Sequence, residues 1–291
     1  MDNKTKKKIT SPKFFLIYVL ALASILLAVV IFNGVMNTGN LQKIESTQNL
    51  DATSIPAGNQ DQPSPTAEPT TNPDLPLSGL TVVIDAGHQE NPPEGKESYM
   101  PWDESKTKAK NTHGTTGQFT GIEEYVVNLE IALKVRDTLQ KQGATVVMTR
   151  DNHGTSLSNQ ERAGIANNSN AQIAISIHCN GSDNPNVSGA ESYTRDKGDG
   201  TAEYKARSAS DLALSQSLIN SVCASTGAKN RGAKLSDAYT GINYSKIPFI
   251  ILECGFMSNE SEDRLLSTAD YQQKIADGIY NFLKDNKSSI I

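Results

Sequence analysis

The chain has 291 residues and a formal net charge of −5, long enough for one catalytic-sized domain plus appendages. The acidic balance speaks against a polyanion, so nucleic acid is not an expected partner. Its three cysteines, Cys179, Cys223 and Cys254, are odd in number and lack CxxC spacing, which excludes both a thiolate zinc knot and a disulfide framework.

Residues 14 to 32, "FFLIYVLALASILLAVVIF", carry no charge. At 1.5 Å per residue they are long enough to cross a hydrocarbon core of roughly 30 Å. The tail before them (1–13) holds Lys4, Lys6, Lys7, Lys8 and Lys13, and the positive-inside bias keeps such a tail in the cytoplasm. The expectation is a single membrane anchor over 14–36 with the rest of the chain outside the cytoplasm. A cleaved signal peptide, which would release the protein, is the rival, disfavoured by the length of the apolar run and the lack of a clear small-residue cleavage site. From 37 to 78 the composition turns to Pro, Thr, Ser, Asn and Gln with few aromatics, which predicts a disordered linker.

Beyond the linker, over 79–288, nearly continuous apolar runs alternate with helical patterns. "LTVVIDA", "ATVVMTR", "AQIAISIH" and "IPFIILE" read as strands buried on both faces. In "EEYVVNLEIALKVRDTLQKQG" the residues Val127, Ile131, Val135 and Leu139 fall on one helical face, with Glu123 and Glu124 at the amino end and Gly143 at the stop. Ser158 and Glu161 stand at capping-box spacing. Leu214, Leu218 and Val222 mark another helix, and Tyr271, Ile275, Ile279 and Leu283 the last. The alternation predicts an α/β fold with one central, at least partly parallel sheet flanked by helices.

Two of the four histidines end predicted strands, His88 after "VVIDAG" and His178 after "IAISI". In α/β sheets the carboxyl ends of the strands line the ligand crevice, so both imidazoles are placed to converge there. Glu253 ends a third strand, and burying it without a partner would be costly. Glu123 or Glu124 can face the same crevice. Two histidines, a ligating carboxylate and a further carboxylate are the components of a hydrolytic zinc site. No HExxH is present, so the site would be assembled from separate elements. The plainer reading of each residue is structural: a hydrogen-bonded strand-end histidine, or a first-turn acid favoured by the helix dipole. His113 and His153 read as solvated loop residues, Arg150 and Arg162 as partners of local acids or carbonyls. Cys179 and Cys254 read as packed thiols on the opposite strand face.

As a set, "VVIDAGHQ", "GTTGQFTGIEEYVVNLEIALKVRDTLQKQGATVVMTR", "SNQERAGIANNSNAQIAISIHCNGS", "NRGAKL" and "IPFIILECGFMSNESEDRLL" resemble the zinc-dependent N-acetylmuramoyl-L-alanine amidases of bacteria, the amidase type 3 family. The resemblance implies a mixed, mainly parallel sheet flanked by helices on both faces. It also implies hydrolysis of the amide joining N-acetylmuramic acid to L-alanine in peptidoglycan, with one Zn2+ per chain. Carried over, it assigns the zinc ligands to His88, Glu124 and His178 and the catalytic glutamate to Glu253. Glu124 stands four residues before Asn128 of the "NL" pair, and Glu123 is the alternative. Asp85 would be a partner of a zinc imidazole or a plain turn residue. Where many relatives read Gly-Gly after the first histidine, this chain has Gln89 and Glu90, then a long polar loop to residue 121 placed to shape or cover the substrate groove. The alternatives are a zinc peptidase acting on stem peptides and a non-catalytic, membrane-tethered wall-binding protein.

Overall fold

Period-two alternation along the apolar strands decides which side chains meet which layer. The computed structural model describes residues 72–291; the predicted basic tail, anchor and most of the linker lie outside the described residues. In chain order the elements are β1 (Thr81–Ala86), β2 (Lys96–Ser98), β3 (Thr107–Ala109), α1 (Glu124–Lys141), β4 (Thr145–Met148), α2 (Asn159–Asn168) and β5 (Ile173–Asn180). There follow β6 (Ala190–Thr194), α3 (Ala202–Thr226), β7 (Asn230–Leu235), α4 (Thr240–Tyr244), β8 (Phe249–Phe256), α5 (Glu260–Leu266) and α6 (Ala269–Ile290). Among the described residues no helix is long and apolar enough to cross a membrane.

Six strands form one sheet in the order β4-β1-β5-β8-β6-β7, and β2 with β3 makes a separate antiparallel hairpin. Neighbours among β4, β1, β5 and β8 are parallel; β6 runs antiparallel to β8 and parallel to β7. The expected mixed, mainly parallel sheet is therefore present. The sequence reading found the four apolar strands and missed β2, β3, β6 and β7. These are short and polar, as in "AESYT" and "NRGAKL", and hold their places through ladder bonds rather than through an apolar run.

Val82, Ile84 and Ala86 of β1 share one core with Ile173, Ile175, Ile177 and Cys179 of β5, Ile250, Leu252 and Cys254 of β8, and the apolar faces of α1, α3 and α6. The intervening residues Val83, Ala174, Phe249 and Ile251 form a smaller core on the other face with Ala166 of α2 and Ile242 of α4. Asp85, Ser176, His178 and Glu253 fall on this second face by the same alternation. There the helical cover is short, and the carboxyl ends of β1, β5 and β8 open onto two cavities.

The helices follow their sequence signals. In α1, Val127, Ile131, Val135 and Leu139 are buried; α2 opens on the Ser158/Glu161 capping box; α6 buries Tyr271, Ile275, Ile279 and Leu283. The turns Leu75–Ser78 end the stretch expected to be linker. Leu77 there is fully buried and its N–H donates to the Gln142 carbonyl.

α3 and α6 cross closely at Gly278, where a Cβ would stand 2.7 Å from Val222 Cα. Gly278→Ala would gain up to about 1 kcal/mol of helix propensity, but overpacking against backbone costs about 1–3 kcal/mol. The cost exceeds the gain, and urea unfolding of Gly278→Ala should show a net loss of about 1–2 kcal/mol; an unchanged or raised midpoint would refute the tight crossing.

Candidate functional site

β1 ends in a turn that the strand cannot hold unaided. His88 adopts φ 58°, a left-handed conformation that costs a non-glycine residue about 1–3 kcal/mol unless its surroundings hold it. Two buried arginines provide that hold. Arg150 donates through Nε to the Ala86 carbonyl (2.8 Å) and through Nη2 to the carbonyls of Gly87 (2.9 Å) and Tyr125 (2.8 Å). Arg162 donates through Nη1 to Ala86 O (2.7 Å) and through Nη2 to His88 O (2.9 Å) and Gln89 Oε1 (2.8 Å). The Asp85 carboxylate balances this charge, accepting from Arg162 Nη1 (2.6 Å), Thr149 Oγ1 (2.6 Å) and Ser176 Oγ (2.5 Å). Both arginines thus take the carbonyl and acid partners expected of them. Asp85 bonds neither an imidazole nor an N–H of the turn, so the structure gives it neither expected role but that of counter-charge to Arg162.

The turn sets His88 against two neighbours. The His178 ring packs so closely on Gly87 that any Cβ there would overlap it. The His88 and His178 ring centroids lie 4.8 Å apart at 84°. His88 Nδ1 is 3.1 Å from the Thr112 carbonyl. The Thr112 hydroxyl stands 3.0 Å from the same nitrogen; a proton on Nδ1 would serve the carbonyl and leave the Nε2 lone pair facing inward. Burial pushes the His88 pKa down to about 4, which leaves the ring neutral at pH 7, the state that binds metals.

Glu124, the first residue of α1, closes the group. Its carboxylate accepts from Thr115 N–H (2.9 Å), Cys179 N–H (3.1 Å) and Asn128 Nδ2 (3.0 Å), one turn along the helix. Asn128 also donates to the Gly87 carbonyl at 3.2 Å, tying helix to turn. Gly114 leaves room for the arrangement, since a Cβ there would strike Glu124 Oε2 and His88. Burial opposes the Glu124 charge, yet His178 and His88 bring its pKa down to about 2. Reciprocally, burial works against the His178 charge and Glu124 more than offsets it, raising the pKa. A positive charge is what this carboxylate asks of the site. Glu123, the alternative, turns away to accept from Thr116 Oγ1 at 2.9 Å.

His88 Nε2 is 3.4 Å from Glu124 Oε2, and His178 Nδ1 is 3.2 Å from Glu124 Oε1. Ligands about 2.0–2.1 Å from a tetrahedral zinc stand roughly 3.3 Å from one another; each imidazole nitrogen meets a different Glu124 oxygen at about that spacing, and one donor atom from each of the three residues lies within 4.8 Å of the others, so the donor set suits that ion.

Glu253 faces His178 across the β5–β8 ladder and Glu191 across the β8–β6 ladder. Burial pushes its pKa up to about 7; His178 works against the rise, Glu124 and Glu191 add to it. Its Oε2 is buried without a hydrogen-bond partner. Glu191 is engaged, accepting from Asn180 (3.0 Å), Tyr193 (2.7 Å), Arg231 (2.7 Å) and Lys234 (2.6 Å). Sequence reasoning missed Thr112 and Glu191 and used Asn128 only as a spacing mark; Glu191 lies on a strand with no apolar signal, and Thr112 in a loop. His113 is exposed as expected, while His153 is half-buried edge-on to Tyr125. All three cysteines are free and buried.

A half-buried His–Glu–His group able to hold a metal ion, with a carboxylate oxygen free beside it, is the kind of site that metal-assisted hydrolases use. The profile of the amidase type 3 family, N-acetylmuramoyl-L-alanine amidase, matches residues 82–285. The germination-specific N-acetylmuramoyl-L-alanine amidase of Bacillus subtilis (strain 168) is 31% identical over 220 residues, 71% of this chain and 79% of that protein. The uncharacterized protein YqiI of the same strain is 35% identical over 207 residues, 71% of this chain and 84% of its own length. The crystal structure of an N-acetylmuramoyl-L-alanine amidase from Clostridium difficile 630 superposes with a TM-score of 0.59 at 27% identity, covering 72% of this chain and 97% of that one. The chain belongs to the N-acetylmuramoyl-L-alanine amidase family, amidase type 3.

The Asp85 cluster yields a stability prediction. Burial opposes its charge, but Arg162 and the hydroxyls of Ser176 and Thr149 bring the folded pKa from 3.8 down to about 2. A depressed folded pKa contributes stability that is complete above the unfolded value and lost as pH falls through the folded one, here about 2 kcal/mol. Urea unfolding should show that loss between pH 3.8 and about 2. Asp85→Asn should cost about 3–5 kcal/mol at neutral pH by leaving Arg162 without its counter-charge, and its acid limb should lack this component. A variant as stable as wild type would refute the clamp.

Proposed function

We propose that this chain hydrolyses the amide between N-acetylmuramic acid and L-alanine in peptidoglycan, with one zinc ion held by His88, Glu124 and His178 and with Glu253 as the catalytic base. The observation that carries the reading is the convergence of three donors within 4.8 Å of one another beside the unpartnered Glu253 oxygen. Zinc bound there would lower the pKa of a water and polarise the scissile carbonyl.

The residues account for the remaining chemistry. A carboxyl poised near 7 can both take and give a proton at neutral pH. Glu253 draws the proton from the attacking water and returns it to the leaving alanine nitrogen, so that the amide ends as a carboxylic acid and an amine, which at neutral pH part as carboxylate and ammonium. Thr112 holds His88 in the tautomer with a free Nε2, and Asn128 holds Glu124. The proposed setting is the outer side of a membrane, with the apolar segment 14–36 as anchor. Its support is the lysine-rich tail before that segment.

Full-length protein incubated with purified cell wall should release free amino-terminal L-alanine. Other new amino ends would indicate a peptidase, and sedimentation without cleavage a binding protein. Glu253→Gln should retain near one zinc per chain by metal analysis and lose about 10²–10⁴-fold in turnover; substantial turnover in that variant would remove Glu253 from the mechanism. In the same assay His178→Ala and Glu124→Gln should lower zinc content, whereas Glu123→Gln should leave it unchanged.

A further inference from the structure

Two cavities flank the His–Glu–His group, and they differ in chemistry. The open one, about 770 Å³, is lined by Gln118, Asn180, Ser182, Asp183 and Ser258 and by neither lysine nor arginine. The other, about 350 Å³, runs under the metal-site histidines along the second face of the sheet. Phe249 and Ile251 form its apolar floor, Tyr239 and Thr240 one side, and Lys108 of β3 the wall, with Arg162 and the carboxylates of Asp85 and Glu253 also lining it.

That wall belongs to the long polar loop that follows His88, and it is firmly docked. Asn243 Nδ2 donates to Tyr99 O (2.7 Å), Gln160 Nε2 to Ser98 O (2.7 Å), and Trp102 packs edge-on to Tyr204. Lys108 Nζ donates to the Ala238 carbonyl at 2.8 Å and lies 5.5 and 5.7 Å from the ring centroids of Tyr99 and Tyr239. Two aromatic faces and a carbonyl fix the ammonium but do not neutralise it. Its cross-strand neighbour Glu97 attracts the ammonium through space but directs a carboxylate oxygen to Gln160 N–H rather than into contact with Nζ. No carboxylate among the described residues lies within 4.0 Å of Lys108 Nζ. Two further polar atoms on the cavity's residues lack hydrogen-bond partners although the residues are almost wholly buried: Thr240 Oγ1 and Arg162 Nε.

From this we infer that the smaller cavity is a subsite for the peptide half of the substrate, with Lys108 as the specificity-determining residue that binds a peptide carboxylate. The inference rests on the amidase reading. In an N-acetylmuramoyl peptide the lactyl carboxyl is consumed in the amide, so the glycan half is neutral and polyhydroxylated while the free carboxylates lie on the peptide. A fixed, half-desolvated cation with no carboxylate in direct contact suits the anionic half. The open cavity, which offers amides, hydroxyls and carboxylates but no lysine or arginine, suits the sugar. The substrate therefore crosses the site with its peptide toward Lys108 and its glycan toward Asn180.

The test compares an N-acetylmuramoyl peptide bearing free carboxylates with the same compound as carboxamides, using full-length protein. Calorimetry separately measures binding of the two matching L-alanyl peptides. Wild type should favour the free acid by about tenfold or more in KM and in peptide Kd, the scale of one charge-assisted hydrogen bond. Lys108→Met should bring both ratios toward one, and Lys108→Arg should preserve them. Equal peptide binding by wild type, or a preference that survives Lys108→Met, would overturn the subsite. Failure to free L-alanine from either substrate would overturn the amidase reading, while the binding ratios still decide the subsite.

Discussion

The closure of two buried guanidinium groups on the carbonyls of one turn is the interaction on which the site depends. Arg150 and Arg162 both bond Ala86 O, and between them they also engage Gly87 and His88. Their charge is tolerable in the interior because Asp85 lies under Arg162 and is itself satisfied by two hydroxyls. Without this clamp, the left-handed backbone of His88 would have no reason to persist. The imidazole would then lose its position opposite Glu124. The order of dependence runs from acid to arginine, to carbonyl, to backbone, and last to imidazole.

A second constraint comes from the sheet. β1, β5 and β8 are parallel neighbours, and alternation places Asp85, Ser176, His178 and Glu253 on one face. The same alternation sends Cys179 and Cys254 into the core beneath α1, α3 and α6. Glu124 arrives from the helix on that opposite face. Its position as the first residue of α1 lets it reach over the strand ends, and Asn128 one turn later keeps it there. Close packing leaves no room for a side chain at Gly87 or Gly114. The glycines beside the histidine and before the helix are thus part of the site.

Much of this was legible in the residues. Four apolar runs, three helical patterns and a capping box located the core elements, and the strand-end positions of His88, His178 and Glu253 located the crevice. Choosing Glu124 over Glu123 needed a family resemblance, because both are acids in a first helical turn; the hydrogen bond from Thr116 that turns Glu123 away depends on the fold of a loop. Glu191 and Lys108 carried no signal for a related reason. Each sits on a short polar strand whose place is set by pairing across the chain, at β8 for the one and at β2 for the other. Gln89 stands where the wording departs from the family, and it is fully buried and lines neither cavity beside the site.

Gln89 bonds both the N–H and the carbonyl of Leu157 and accepts from Arg162. This rivets the root of the long loop to the segment that enters α2. The loop emerges beyond that rivet, so its hairpin is mechanically separate from the His88 turn. The hairpin is an exchangeable module: residues between Glu90 and Lys110 can redraw the cavity wall while the imidazole stays in place.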